Sequence, residues 1–319
     1  MKQLLKQIQL PKITNADTQA SRELFTENYD FIQHYTQREF TVTTDKLPAL
    51  SGIVQSFHEH LNPPGTFRES YLAGLWREDL LTGLLWEVRP IDETGRFRNP
   101  DIRPKGPSWT WSSVDEEVVY MDSRTPGEYI PKYSARVIEA DVVLAGTNPA
   151  GAVKSGRLVL RGALKKAFEE EDQLEKIALM MGAKMDLPID DALEIEEMWL
   201  LRIFAWKDEI AKKEDSSDSS SEGDREESYV NNKNRWGEPG ISETVRIDDH
   251  DDVDDALSNP KEDNIRSDAE DNLETDEWAT ALILAPTGES PQEYRRIGLI
   301  SMWPNSGFSD IENSEVVII

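Results

Sequence analysis

The 319-residue sequence contains no cysteine. That excludes a disulfide framework, a thiolate nucleophile and any zinc or iron–sulfur site built on cysteine. Histidine is scarce, at four residues. His58 and His60 flank Glu59, a spacing that on a helix points the two rings apart instead of onto one metal, and His34 and His250 stand alone. Positive charge is also in short supply: 35 Lys and Arg face 62 Asp and Glu, for a net charge of −27. This balance disfavours a nucleic-acid backbone or an anionic membrane as partner. Long hydrophobic runs are missing. No stretch approaches the roughly 20 apolar residues that span a bilayer, and the opening MKQLLKQIQLPKI is interrupted by Lys and Gln, unlike a secretory leader. These features predict a cytoplasmic protein with no nucleic-acid or membrane contact.

Recognised chemical motifs fail in detail. Residues 151–158, GAVKSGRL, have the glycine spacing of a phosphate-binding loop, but Arg157 replaces the lysine and Leu158 the magnesium-holding hydroxyl. A turn leading into a strand is the better account. No dinucleotide-binding glycine motif and no nucleophile elbow occurs. In DDHDDVDDAL, Asp249 and Asp251 fit the first positions of a calcium loop, but Val253 and Asp254 break it. The short basic groups Lys165-Lys166, Arg295-Arg296 and Arg96, Arg98, Arg103 and Lys105 read as solvated surface. The sequence therefore nominates no catalytic, cofactor-binding or metal-ligating residue, and it implies no cofactor.

What is present divides into two kinds of polymer. Residues 211–277 carry 23 acidic and 8 basic side chains, a net of −15. Such a stretch buries too little apolar surface to offset its ordering entropy, so a disordered acidic insert is expected there. Ser219, Ser221 and Ser267 each precede an acidic residue by three positions, a pattern that suits acidophilic kinases. The remainder is rich in Trp, Leu, Ile and Val. Residues 20–38 and 45–61 have helical periodicity, with Leu24, Phe25, Phe31, Ile32 and Tyr35, then Leu50, Ile53, Val54, Phe57 and Leu61, on apolar faces. A third helix is expected over 77–87. Beyond it the period shortens to two, predicting strands in SWTWSSV, EEVVYM, SARVIEADVVLAG, GRLVLRGAL, MWLLRIFAW, WATALILAP, YRRIGLISMW and EVVII, with one helix near Leu174 and Ile177. The fold class is α+β: a helical section (1–90) packed on a mainly antiparallel β section (91–210 plus 278–319), interrupted by the insert.

Tryptophan marks the most unusual composition. DKLPALSGI, YLAGLWREDLLTGLLW and PSWTWSSVDEEVVY hold Trp76, Trp86, Trp109 and Trp111. Physically these are core residues, and Trp109 and Trp111 are expected on one face of a strand. Their order has a precedent. Tyr35, Thr36 and Arg38, then Asp45 to Ile53, Tyr71 to Trp76, Leu84 to Trp86 and Pro107 to Val114 resemble the region downstream of the heterokaryon incompatibility domain in filamentous fungal proteins. EYRRIGLISM, residues 293–302, resembles a strand near the C-terminus of the same family. The family's incompatibility domain carries segments of the form SYxWG and WIDAxCINQ; neither occurs here. The resemblance thus implies a region separated from the death-triggering domain, as in a truncated copy or a stand-alone relative, and it carries over no catalytic residue. It implies a non-enzymatic regulatory or recognition region with a protein partner. The alternative is a hydrolase or nucleotide-processing enzyme. A pocket joining carboxylates with Arg96, Arg98 or Arg295 would favour the enzyme, and a closed tryptophan-filled core would favour the recognition region.

Overall fold

A computed structural model describes residues 18–38, 40, 42–61, 66–91, 97, 105–120, 132–168, 173–207, 277–302, 308 and 311–319. The expectation of disorder over 211–277 falls, Glu277 apart, outside the described residues, as do Arg96, Arg98 and Arg103. The described residues belong to one compact unit drawn from Met1–Asp208 and Thr275–Ile319. None of their helices is long and apolar enough to cross a membrane.

The helical section begins with α1 (Thr18–Thr36), which buries Leu24, Phe25, Tyr29, Ile32 and Tyr35. Two short 3-10 turns follow, Thr43–Asp45 and Pro48–Leu50, and the second leads straight into α2 (Ser51–Leu61). Pro48 sits at the start of its turn, where a missing N–H has no cost. Ile53, Val54, Phe57 and Leu61 face inward at helical spacing. A single turn, α3 (Phe67–Ser70), leads to the small hairpin β1 (Tyr71–Leu72) and β2 (Leu75–Trp76).

The helix expected over 77–87 is shorter than its leucine pattern. A 3-10 turn, Arg77–Asp79, passes into α4 (Leu80–Gly83), and the chain then straightens into β3 (Trp86–Arg89). Trp86 and Val88 alternate inward as strand residues. β3 pairs with β4 (Glu117–Tyr120), and α1 covers the outer edge of β4. There Thr36 Oγ1 accepts from the Val118 N–H at 3.0 Å and Gln33 Oε1 from the Tyr120 N–H at 3.2 Å. Side chains of the helix thus satisfy strand donors that would otherwise be unpaired.

The larger sheet contains β5 (Lys132–Tyr133), β6 (Arg136–Leu144), β7 (Val153–Lys166), β8 (Ala183–Met185), β9 (Trp199–Lys207), β10 (Glu277–Pro286), β11 (Glu293–Met302) and β12 (Asn313–Ile318). Two helices, α5 (Gln173–Gly182) and α6 (Ile189–Leu193), lie between β7 and β9 in sequence. Five strands close a ring: β9 pairs β10, β10 pairs β11, β11 pairs β12, β12 pairs β7, and the end of β7 returns to β9 through Leu164↔Leu201. β7 makes this closure possible by its length of 14 residues. One edge of β7 pairs β6 up to Arg161, and β9 takes over from Leu164. Closure leaves each ring strand with a neighbour on both sides, and β5 and β6 stand at the ends of the sheet. Every pairing is antiparallel except the two-residue β11–β12 contact.

Side chains alternate between two cores. Leu158, Leu160, Leu201, Leu282, Leu284 and Val316 join the helical section in one. Ala163, Leu200, Ala281, Ile283 and Ile297 pack with Met180, Met185, Met198 and Phe308 in the other. The helical and β sections therefore share a core. The chain leaves β9 at Lys207 and re-enters β10 at Glu277, and these two residues are direct cross-strand partners. Replacing residues 212–276 with a short Gly/Ser linker should therefore turn β9–β10 into an ordinary hairpin. The expected result is an unchanged far-UV circular dichroism spectrum per folded residue and a cooperative melt. A soluble but unfolded deletion protein would mean that the replaced residues hold the ring together.

Candidate functional site

The segment Lys105–Glu116 contacts both the helical section and the closed sheet, and every polar cluster described below except one meets it. It is a chain of turns. The strand expected for SWTWSSV does not form; Trp111–Ser113 is a 3-10 turn. The reason is local. The Pro107 carbonyl accepts from the Thr110 N–H at 3.1 Å and from Thr110 Oγ1, while the Thr110 carbonyl accepts from the Ser113 N–H and from Ser113 Oγ at 2.7 Å. Short hydroxyl side chains compete for backbone groups that a strand would pair with a neighbour. Trp109 and Trp111 are both fully buried, as expected, but so are Ser108 and Thr110, which a two-faced strand would have placed on the other side.

The tryptophans lock this segment to its surroundings. Trp111 Nε1–H donates to the Gly74 carbonyl at 2.9 Å, and Trp86 Nε1–H to the Trp109 carbonyl at 3.2 Å. Gly74 has φ +106°, and a Cβ there would lie 2.6 Å from Trp111 Nε1. The glycine of YLAGLW is thus required twice, for its backbone and for the ring that covers it. Gly156, in GAVKSGRL, lies within β7, where a Cβ would meet Pro107 Cγ at 2.6 Å and Trp109 Cζ2 at 3.0 Å. The phosphate-loop spacing is therefore a packing feature, and the turn between β6 and β7 precedes it, at residues 145–152.

Arg296 corrects the reading of Arg295-Arg296 as solvated surface. Its guanidinium is buried, 3.5 Å from the centre of the Trp86 ring. Nε donates to Asp186 Oδ2 at 2.9 Å, Nη1 to the Leu84 carbonyl at 2.6 Å, and Nη2 to the Trp86 carbonyl. The Arg296 N–H donates to Ser108 Oγ at 3.0 Å. Burial pushes the Asp186 carboxyl up to about 6, against the pull of Arg296, and it pulls the guanidinium down, against the pull of Asp186. Both shifts have the same sign of cause: desolvation outweighs pairing at this site. A cavity of about 40 Å³ adjoins the pair, lined by Ser108, Ser113, Asp186 and Arg295 among others. It is of the size that holds ordered water, roughly a tenth of a small-molecule site.

Lys46 forms a second buried charge on the same segment. Its ammonium donates to the Val114 carbonyl and lies 3.5 Å from Asp115, which also pairs with Lys105. Tyr35 Oη donates to the Lys46 carbonyl at 2.7 Å, and the Tyr35 ring meets Trp111 edge-on. Burial lowers Lys46 to about 8, opposed by Asp115. A third cluster lies apart from the segment. Asp79 accepts from Tyr29 Oη at 2.6 Å and from Thr82 Oγ1 at 2.7 Å, and Tyr29 stacks on Tyr120. Burial raises Asp79, and it raises Tyr29 well above its usual value.

The histidines do not converge. His34 and His60 each bond a carbonyl four residues earlier, and His58 packs against Phe67 and Trp76. Among the described residues no group of His, Asp and Glu is arranged to hold a metal. An open groove of about 510 Å³ is lined by Ser51, Gln55, Thr66, Phe67, Arg68 and Asn148. The side chains of Arg296, Asp186 and Lys46 are buried here without a motif that marks them in the sequence. One signal for Arg296 was there: adjacent residues of a strand point to opposite faces, so one of two consecutive arginines had to face a core.

Two substitutions test the packing. Trp109→Ala or Trp111→Ala should cost about 3–5 kcal/mol through lost contacts and a cavity, read by urea denaturation. Full stability with loss of partner binding would instead make the rings a ligand cradle. Lys46 is tested by pH. The folded chain releases this proton near 8 and the unfolded chain near 10.5. Between those values the unfolded state binds more protons, so the group makes stability rise with pH. The stability of the wild type relative to Lys46→Met should therefore grow from pH 8 to pH 10. A flat or falling difference would show that Lys46 keeps its proton in the fold.

No family model, no curated protein and no solved structure matches the chain.

Proposed function

We propose that this chain is a non-enzymatic regulatory or recognition region of a heterokaryon incompatibility-like protein, acting in the cytoplasm on a protein partner. The supporting observation is the destination of the residues that carry the resemblance. Tyr35, Lys46, Gly74, Trp86, Trp109, Trp111 and Arg296 interlock in a buried core, where Arg296 also borders the cavity of about 40 Å³. Apart from the Trp109 indole N–H, which is buried without a partner, the polar side chains of this set are engaged with protein: the Arg296 fork holds Asp186 and two carbonyls, and Lys46 holds Val114. The enzyme reading rests on the cavity that joins Asp186, Arg295, Ser108 and Ser113, which has the residue types of an active site at about 40 Å³.

One experiment separates the two. Purified protein is incubated with a nicotinamide dinucleotide, nucleoside triphosphates and nitrophenyl esters, alongside Arg295→Ala and Asp186→Asn. The recognition reading predicts product at the buffer level for all three proteins. Turnover by the wild type that falls in Arg295→Ala, a half-buried position whose loss leaves the core intact, would establish the enzyme instead.

A further inference from the structure

The second core has an unusual roof. In α5, Lys176 and Met180 point inward, while Leu174 is 80% and Met181 84% exposed, with Ile177 beside them. These three, at positions i, i+3 and i+7, form a solvent-facing apolar stripe. The stripe does not end with the helix. Lys176 Nζ donates to the Leu193 carbonyl at 2.6 Å, tying the middle of α5 to the C-terminus of α6, where Ile189 and Leu193 are also exposed. The sequence places Leu174 and Ile177 on a helix, and in the structure both face water.

The surroundings of the stripe are acidic. Residues 174–197 contain seven carboxylates and two lysines. Asp186 is engaged with Arg296, and Glu197 with Lys166 and Trp199. Both lysine charges are accounted for differently: the Lys176 ammonium is held by Leu193, leaving Lys184 as the exposed cation of this stretch. Asp190, Glu194 and Glu196 flank the exposed apolar residues of α6 in sequence, and Glu194 and Glu196 are themselves exposed. The layer beneath is methionine: Met180, Met185 and Met198 pack with Phe168 and Leu187. Unbranched, polarisable side chains adapt to differently shaped apolar anchors. A second copy of this face would bring like charges together, and the stretch 211–277, at net −15, would be repelled for the same reason.

We propose that the α5–α6 face is a docking surface for a basic amphipathic helix of a partner protein, whose apolar side chains lie along Leu174, Ile177 and Met181 and whose Lys or Arg residues meet the acidic rim. The proposal deepens the recognition reading and rests on it. Binding of this kind uses anchors at i, i+3 and i+4 on the incoming helix, and charge complementarity sets its direction and its salt dependence.

The probe is a fluorescein-labelled 18-residue peptide of Leu and Lys with leucines at helical spacing, titrated into the full chain by fluorescence anisotropy. The comparison protein is Leu174→Ser/Met181→Ser. Both positions are exposed, so the variant should melt at the wild-type temperature, and both proteins carry every acidic group of the chain. The expected result is saturable binding at 1:1, weakened about tenfold or more in the variant, weakened by salt, and lost when the peptide's lysines are replaced by glutamates. Equal affinity for wild type and variant would mean attraction to the acidic chain at large and would overturn the proposal. So would the absence of binding, or a sedimentation profile showing that the wild type self-associates through this face and the variant does not. Each of these failures leaves the non-enzymatic reading standing; turnover in the substrate panel would remove that reading without changing the titration.

Discussion

A buried guanidinium is the constraint to which most of the architecture answers. Removing an arginine from water is costly, and the cost is recovered only where its planar fork is matched by fixed acceptors. Arg296 is on β11, one of the five ring strands. Its acceptors come from three other places: Asp186 just after β8, the Leu84 carbonyl after α4, and the Trp86 carbonyl in β3. Its own backbone N–H is held by Ser108 of the central segment. The Trp86 ring covers the face of the guanidinium, where a cation is attracted to the π system. One side chain therefore fixes the helical section, the central segment and the β8 turn against the closed sheet. Both ionisable partners pay in desolvation, which is why each is displaced toward its neutral form.

The central segment follows from that anchorage. Twelve residues crossing a core without a strand partner need their backbone groups satisfied some other way. Here serines and threonines bond within the segment, and the indole nitrogens of Trp86 and Trp111 tie carbonyls at 109 and 74. The alternation of large aromatic and small hydroxyl residues in PSWTWSS is thus a division of labour. The rings fill volume, and the hydroxyls replace the missing ladder. Lys46 extends the same logic at the far end of the segment by holding the Val114 carbonyl.

Much of the fold was legible in the sequence because period and position agree. The two-residue period of WATALILAP and YRRIGLISM marks a hairpin, and Ala279↔Met302 through Pro286↔Tyr294 is that hairpin. Leu50, Ile53, Val54, Phe57 and Leu61 mark a helix face and are all buried. The failures are of two kinds. Leucine-rich residues 80–85 satisfy a helical pattern, yet Trp86 must turn its carbonyl toward Arg296, and the helix stops at Gly83. Trp109 and Trp111 satisfy a strand pattern, but the local hydroxyl bonds and the rings beneath decide for turns. In the first, a long-range contact outweighed a local preference; in the second, hydroxyl bonds within the segment outweighed the strand period. The candidate site was less legible still. Lys46 follows Asp45, and Asp186 lies two residues after Lys184, so neither stands out by its neighbours, and only the register of β11 and the path of residues 105–116 reveal what they face. The exposed stripe of α5 is likewise invisible in sequence, since periodicity shows that a helix has an apolar face but not whether the protein covers it.

The central claim is that the planar fork of Arg296, and not merely its charge, holds these parts together. Arg296→Lys keeps the charge and removes the fork. Urea denaturation followed by tryptophan fluorescence tests it directly. The account predicts a loss of about 3 kcal/mol or more, as for a broken buried pair, with an altered native tryptophan spectrum because Trp86 loses the group stacked on it. A variant within about 0.5 kcal/mol of wild type, the range of an ordinary surface substitution, and with an unchanged spectrum would contradict it.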